Sequence, residues 1–300
     1  MTETTPAMIA PSWRDYYEMC KPRVVLLMLL CTLVGMYLAT PGWVELDLIA
    51  ACLTGVALVA GSAAALNHLI DAKVDQRMAR TENRPVAQGR VSFHQGLAFV
   101  ALTGLAGEAV LYLFVNPLTA WLNFFSWVGY GLIYTLYLKR ATSQNIVIGG
   151  LFGAAPPLFG WTAVTNSVDG GGILLVLIIF AWTPPHFWAL AVDRLEEYKN
   201  VDMPMLPVTH GVRYTNLHIL LYTVILILVS VLPYLTGMSN LLYLLSALGL
   251  GAGFLYWAIA MMRGVNPKAP IETFRYSILY LALLFAALLV DHYVMPVGYA

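Results

Sequence analysis

Charged side chains are scarce in this sequence: sixteen basic and sixteen acidic residues make up 11% of 300, and the formal net charge is zero. That scarcity excludes an ordinary soluble domain, in which about a quarter of residues are charged, and the absence of a basic surplus argues against nucleic acid as a partner. Cysteine is rare as well. Cys20, Cys31 and Cys52 are odd in number and lack metal-type spacing, so they read as packing residues. The N-terminal stretch MTETTPAMIAPSWRDYYEMCKPR has acidic residues, no Arg-rich amphipathic pattern and no small-residue cleavage site behind a short apolar core. It reads as neither a transit nor a secretory signal, which favours a bacterial inner membrane over an organelle membrane.

What the chain has in quantity is apolar residues, 60% of the total, gathered in runs of about twenty. Such runs cross a hydrocarbon core of roughly 30 Å as helix. Nine are expected, at about Val24–Thr40, Leu46–Ile70, Phe93–Val115, Pro117–Leu138, Asn145–Thr165, Ile173–Val192, Asn216–Tyr234, Leu241–Met262 and Phe274–Val294. Helices rather than barrel strands follow, because barrel strands alternate polar and apolar over about ten residues. Against these nine runs all sixteen Lys and Arg residues fall on one side, and the opposite connections carry Glu45, Asp47, Asp169 and Asp291. Basic residues favour the cytoplasm, which places the N-terminus inside and the C-terminus outside.

Two inner connections resemble each other. NHLIDAKVDQRMARTENRPVAQGR begins at Asn67 and ALAVDRLEEYKNVDMPMLPVTHGV at Ala189. At an offset of 122 positions Asp71 meets Asp193, Asp75 meets Glu197, Arg77 meets Lys199, Pro85 meets Pro207, Val86 meets Val208 and Gly89 meets Gly211. The expected fold is therefore an all-α polytopic bundle forming one domain over residues 1–300. It is built from a pseudo-repeat of four helices (about 20–140 and 141–262) plus a ninth helix at about 274–294.

Asn67, Asp71 and Asp75 are spaced i, i+4, i+8 and stack on one helix face at the inner end of the second run; Asp193 and Glu197 are expected to do the same on the sixth. Like charges stacked in this way call for a cation. Mg2+, held by a few carboxylates and by phosphate oxygens, suits them. Arg77, Arg80, Arg84, Lys139, Arg140 and Lys199 are placed to neutralise a diphosphate. The alternative is a rim of helix-end charges joined in local salt bridges, common on any cytoplasmic face. His186 lies two turns deeper than Asp193 behind Pro184 and Pro185, and is either functional or a polar contact between helices. The remaining histidines, His68, His94, His210, His218 and His292, read as rim or near-rim residues. Gly149, Gly150, Gly153 and Gly160 read as sites of close helix approach or substrate access, and Glu108 has no evident partner.

The N-x3-D-x3-D motif followed by RMARTENRP, the stretch YTLYLKRATSQNIVIGGLFGAAPPLFGW from Tyr134, WTPPHFWALA from Trp182, PMLPV from Pro204 and KPR at Lys21–Arg23 together resemble the UbiA superfamily of intramembrane prenyltransferases. Within it they resemble the branch that farnesylates heme. The second acidic motif departs from the usual pattern, being poorer in Asp, with Glu196 adjacent to Glu197. What the resemblance implies is transfer of farnesyl from farnesyl diphosphate to the 2-vinyl group of protoheme IX with addition of water, in membrane lipid. Mg2+ is the implied cofactor, held by Asp71, Asp75, Asp193 and Glu197. Asn67 and His186 join the implied catalytic set, and Tyr130, Tyr134, Phe152 and Trp161 would line the cavity for prenyl chain and heme. A downstream heme A synthase or terminal oxidase is the implied partner. Two other readings stay open: an aromatic quinone precursor as acceptor, and a secondary transporter.

Overall fold

The computed structural model describes residues 11–264 and 266–294, and within them every regular element is a helix. Residues 1–10 of the N-terminal stretch lie outside the described residues. The chain opens with α1 (Trp13–Met19) and α2 (Pro22–Leu38), which meet at a 55° bend. Pro22 starts α2 without losing a helical hydrogen bond, since the first N–H groups of a helix have no partner. Then come α3 (Leu46–Asp75), α4 (Phe93–Phe114) and α5 (Pro117–Trp127), which continues directly into a π-helix at Val128–Leu138. Short α6 (Lys139–Ala141) leads to α7 (Asn145–Gly153) and α8 (Pro156–Thr165), followed by α9 (Gly170–Asp193). Two short helices, α10 (Leu195–Lys199) and α11 (Leu206–His210), precede the long α12 (Val212–Leu235), α13 (Leu241–Arg263) and α14 (Ala269–Val294).

Among the described residues seven helical segments are long and apolar enough to cross a membrane, or eight when the bent pair α1–α2 counts as one span. The run at Pro117–Leu138 differs from expectation by dividing into α-helical and π-helical halves. The protein is thus a polytopic helical membrane protein, as its apolar runs predict.

Helix contacts close a ring: α2 on α3, α3 on the π-helix, the π-helix on α7, α7 on α9, α9 on α14, and α14 back on α2. α4 backs α3, and α12 and α13 back α9 and α14. Gly160 of α8 sits against the backbone of α2 at Thr32, leaving no room for a side chain. That close approach is the role expected of it. The three cysteines are free, and Cys31 and Cys52 are buried among apolar neighbours. Asp291, expected as an outer rim charge, is instead fully buried, and its carboxylate accepts the backbone N–H groups of Asn240 and Tyr243 at the start of α13. An acidic group there satisfies the orphan donors of a helix N-terminus.

The connections after α3 and α9 pack together. Val74 at the end of α3 and Met78 of the first connection share one apolar cluster with Tyr198, Met203, Met205 and Leu206 of the second.

Candidate active site

α3 runs unbroken through Asp75, so Asn67, Asp71 and Asp75 keep their common face. Asp71 and Asp75 are 1% and 4% exposed, which makes them costly unless paired. Asp71 accepts from Asn67 Nδ2 at 2.8 Å and from Lys139 Nζ at 2.5 Å, with Arg140 Nη2 3.4 Å away. Asp75 is paired with Arg84 Nη1 at 2.7 Å. Arg84 reaches back because the connection folds against α3, with Gln76 Nε2 donating to the Ala87 carbonyl and Thr81 Oγ1 to that of Asp75. Arg90 straps the same connection to α1 through Asp15.

Lys21 completes the group; the KPR motif at Lys21–Arg23 marked it in the sequence without giving it a role. It forms the break between α1 and α2, at φ 50° and ψ 59°, and its Nζ donates to Asn67 Oδ1 at 2.6 Å. No carboxylate pairs with it directly among the described residues. The residue as a whole is half-buried but its ammonium end is enclosed, and burial, with Arg84 and Lys139 adding repulsion, pushes its pKa down to about 7. Around two carboxylates there are therefore four cations, Lys21, Arg84, Lys139 and Arg140. A surplus of positive charge around buried carboxylates suits an anionic ligand.

The π-helix decides which cation reaches Asp71. In an α-helix, at about 100° per residue, Lys139 would lie roughly opposite Tyr130. Winding at about 4.4 residues per turn returns it to within about 20° of Tyr130 and brings Tyr134 to the same side. This is the arrangement found: the Tyr130 and Tyr134 rings stack at 5.5 Å and 13°, both lie within electrostatic reach of Asp71, and Lys139 bonds it. Tyr134 also reaches toward Tyr198 of α10, and its ring lies against Gly149. Phe152 packs its ring on Gly129 of the same π-helix.

The second acidic motif is built differently. Arg194 leaves the helical region at φ −104° and ψ 25°, ending α9 at Asp193, and α10 starts afresh. Asp193 and Glu197 thus do not stack on one continuous helix as expected. Arg194 bridges them instead, with Nε 3.2 Å from Asp193 and Nη1 2.9 Å from Glu197. Lys199 pairs with Glu196 at 2.8 Å on the surface, and Arg77 and Arg80 are exposed.

His186 is held between α9 and α14. Its ring stacks between Trp182 at 4.1 Å and Phe274 at 4.6 Å, and Nδ1 lies 2.6 Å from Ser277 Oγ. That arrangement matches the interhelical polar contact. Trp161 lies across Gly171 and Gly172 at the start of α9, lining a cavity of about 650 Å³ with Asp169 and His292. Along α9 this is roughly 30 Å from Asp193, at the opposite end of the bundle. Of the histidines expected on the rim, His68 is the exception, being 2% exposed.

Among the described residues no group of three or more His, Cys, Asp or Glu side chains gathers as a metal centre. Mg2+ does not require one. It commonly takes one or two carboxylates and completes its shell with substrate phosphate and water, and Asp71 and Asp75 offer those hard oxygen donors.

The sequence profile of the UbiA prenyltransferase family matches residues 28–290. The chain belongs to that family. This UbiA-family chain is 62% identical over 284 residues to the protoheme IX farnesyltransferase of Saccharophagus degradans, covering 95% of this chain and 94% of that one. It is 61% identical over 287 residues to the protoheme IX farnesyltransferase of Legionella pneumophila strain Corby, covering 96% and 98%. Among solved structures, that of a digeranylgeranylglyceryl phosphate synthase superposes with a TM-score of 0.79 at 16% identity, covering 94% of this chain and 99% of that one. A UbiA homolog from Archaeoglobus fulgidus bound to GPP and Mg2+ gives 0.63 at 15% identity, covering 91% and 99%. These structures share the fold, and membership of a prenyltransferase family sets the transporter reading aside.

Proposed function

We propose that this protein transfers the farnesyl group of farnesyl diphosphate to the 2-vinyl group of protoheme IX, giving heme O and diphosphate. The observation that carries the site is the buried Asp71–Asp75 pair with its surplus of cations. The acceptor follows from the two protoheme IX farnesyltransferases at about 60% identity. Asp71 and Asp75 would hold Mg2+, which when bound offsets phosphate charge and favours departure of the leaving group. Lys21, Arg84, Lys139 and Arg140 bind the diphosphate and stabilise it as the farnesyl C1–O bond breaks, the bonding pair leaving with oxygen. The terminal vinyl carbon bonds to farnesyl C1. Water adds to the resulting cation and loses a proton, leaving the hydroxyethylfarnesyl group. Tyr130 and Tyr134 present ring faces beside the diphosphate site, where they stabilise allylic positive charge.

On this reading Asp193 and Glu197 act from the second connection, which shares the apolar cluster of the first. A pseudo-repeat is supported by Gly89 and Gly211, related by the offset of 122 and both at positive φ, 73° and 82°, ahead of α4 and α12. Counting α2 and the α5–π-helix segment with the other seven as spans makes nine, and on this reading every Lys and Arg lies at or beyond the cytoplasmic ends of the spans, on the side of a bacterial inner membrane that holds the active site. A heme A synthase or terminal oxidase then receives the product.

Incubation of purified protein with labelled farnesyl diphosphate, Mg2+ and either heme or 4-hydroxybenzoate tests the assignment. Label is expected in heme and is lost when EDTA is added. Label in the phenol, or in neither acceptor, overturns it.

A further inference from the structure

His68 is a buried imidazole with no use in the scheme above. It is 2% exposed, and neither Nδ1 nor Nε2 has a hydrogen-bond partner among the described residues. A neutral imidazole carries one N–H, and a buried N–H without an acceptor is rare in a folded protein because it has lost water and gained nothing.

Helix geometry aims this ring at the site. Asp75 lies seven residues on and about 20° around α3 from His68, and Asp71 three residues on and about 60° around. His68 therefore belongs to the acidic face, about 4.5 Å further into the bundle than Asp71. Three of the cations that surround the carboxylates, Lys21, Arg84 and Lys139, are within electrostatic reach of the ring. His68 thus faces a group of donors and positive charges, with no acceptor supplied by the described residues. Its neighbour Asn67 already has its carbonyl oxygen taken by Lys21 and its amide donating to Asp71.

We propose that His68 is a diphosphate-binding residue: its ring N–H donates to an oxygen of the prenyl diphosphate on the side nearest the bundle interior. The proposal rests on the prenyl diphosphate reading of the site. A hydrogen bond is favoured over metal ligation because Mg2+ selects oxygen donors over imidazole. At that depth the bonded oxygen is on the part of the diphosphate nearest the prenyl C1, where negative charge grows as the C1–O bond breaks. The donor therefore helps the leaving group as well as the bound substrate.

The test is calorimetric titration of inorganic diphosphate with Mg2+ into the full-length protein in lipid nanodiscs, for the wild type, His68→Leu, His68→Gln and Asp71→Ala. His68→Leu is expected to weaken binding about tenfold to a hundredfold, the range for a hydrogen bond to a charged group. His68→Gln keeps a side-chain N–H and is expected to stay within about threefold of the wild type. Without ligand, His68→Leu should melt no lower than the wild type, because it removes unpaired buried polar atoms. A purely structural histidine would show the reverse, a lower melting point and equal losses with Leu and Gln, and that result overturns the proposal. So does wild-type affinity in His68→Leu alongside lost binding in Asp71→Ala, which leaves the diphosphate reading standing. A wild type that does not bind diphosphate overturns both.

Discussion

The Asp71 side chain is 1% exposed and tied to Lys139 and Arg140 from another helix, whereas that of Asp193 is 25% exposed and held by its own neighbour Arg194. Both acids stand at the end of a long apolar helix, and both open a folded connection of similar composition. The difference lies in what covers them. α3 continues through Asp75, and the π-helix and the Gln76–Ser92 connection close over its end. α9 stops at Asp193, so its acids pair along the chain rather than across the bundle. Local i,i+3 and neighbour pairs at partial exposure contribute little and rearrange readily, whereas a buried pair is costly to break and fixes geometry. The first motif is therefore fixed by packing across the bundle, and the second is held only by pairs along its own chain.

The largest test of that contrast is Asp71→Ala, with Asp75→Ala beside it. Each is expected to lower farnesyl transfer by at least about a hundredfold, because each leaves a partly buried basic side chain unpaired as well as removing an oxygen donor. Radiolabel incorporation measures the loss, and circular dichroism should show helix content unchanged. Deleting Leu132 comes next: one residue fewer favours α-winding over the π-helix and turns Lys139 away from Asp71. A drop of tens of fold is expected, comparable with Lys139→Ala measured in the same assay; activity near wild type would show that the π-helix does not set this contact. Asp193→Asn and Glu197→Gln should cost about tenfold each if the second motif engages ligand only when it is bound, against a change under twofold for exposed Glu196→Gln. Losses as large as those at Asp71 would erase the distinction between the motifs.

The mildest effect concerns pH. Lys21, whose pKa burial pushes down to about 7, binds anions in its protonated form. On the proposed function, affinity for prenyl diphosphate is expected to be full below that pH and to fall by a few fold as pH rises through it. Lys21→Arg, which stays charged, should flatten the KM profile. A wild-type KM that is level from pH 6 to 8 would remove Lys21 from the binding group.

Much of this was legible before any coordinates. Apolar runs longer than a bilayer is thick force helices, because backbone polar groups have no other partner in hydrocarbon. Helical periodicity alone put Asn67, Asp71 and Asp75 on one face, since that relation is local to α3. The choice among cations was not legible. Arg77, Arg80, Arg84, Lys139, Arg140 and Lys199 all stood near the acids in sequence or in loop order, yet only Arg84, Lys139 and Arg140 converge on them, joined by Lys21 from the α1–α2 break. The break at Arg194 was hidden as well, because nothing in Asp-Arg-Leu-Glu-Glu signals a helix end by propensity.

What the sequence determined by itself, then, is the membrane class, the family and the acidic face of α3. All three depend on composition, on motif and on contacts a few residues apart. Only the tertiary structure decided that Asp71 is buried, that a π-helix delivers Lys139 to it, that His68 leaves the rim for the interior, and that Glu197 parts from Asp193. Those outcomes depend on which helices pack side by side, and burial turns that packing into a choice among charges the sequence offers on nearly equal terms.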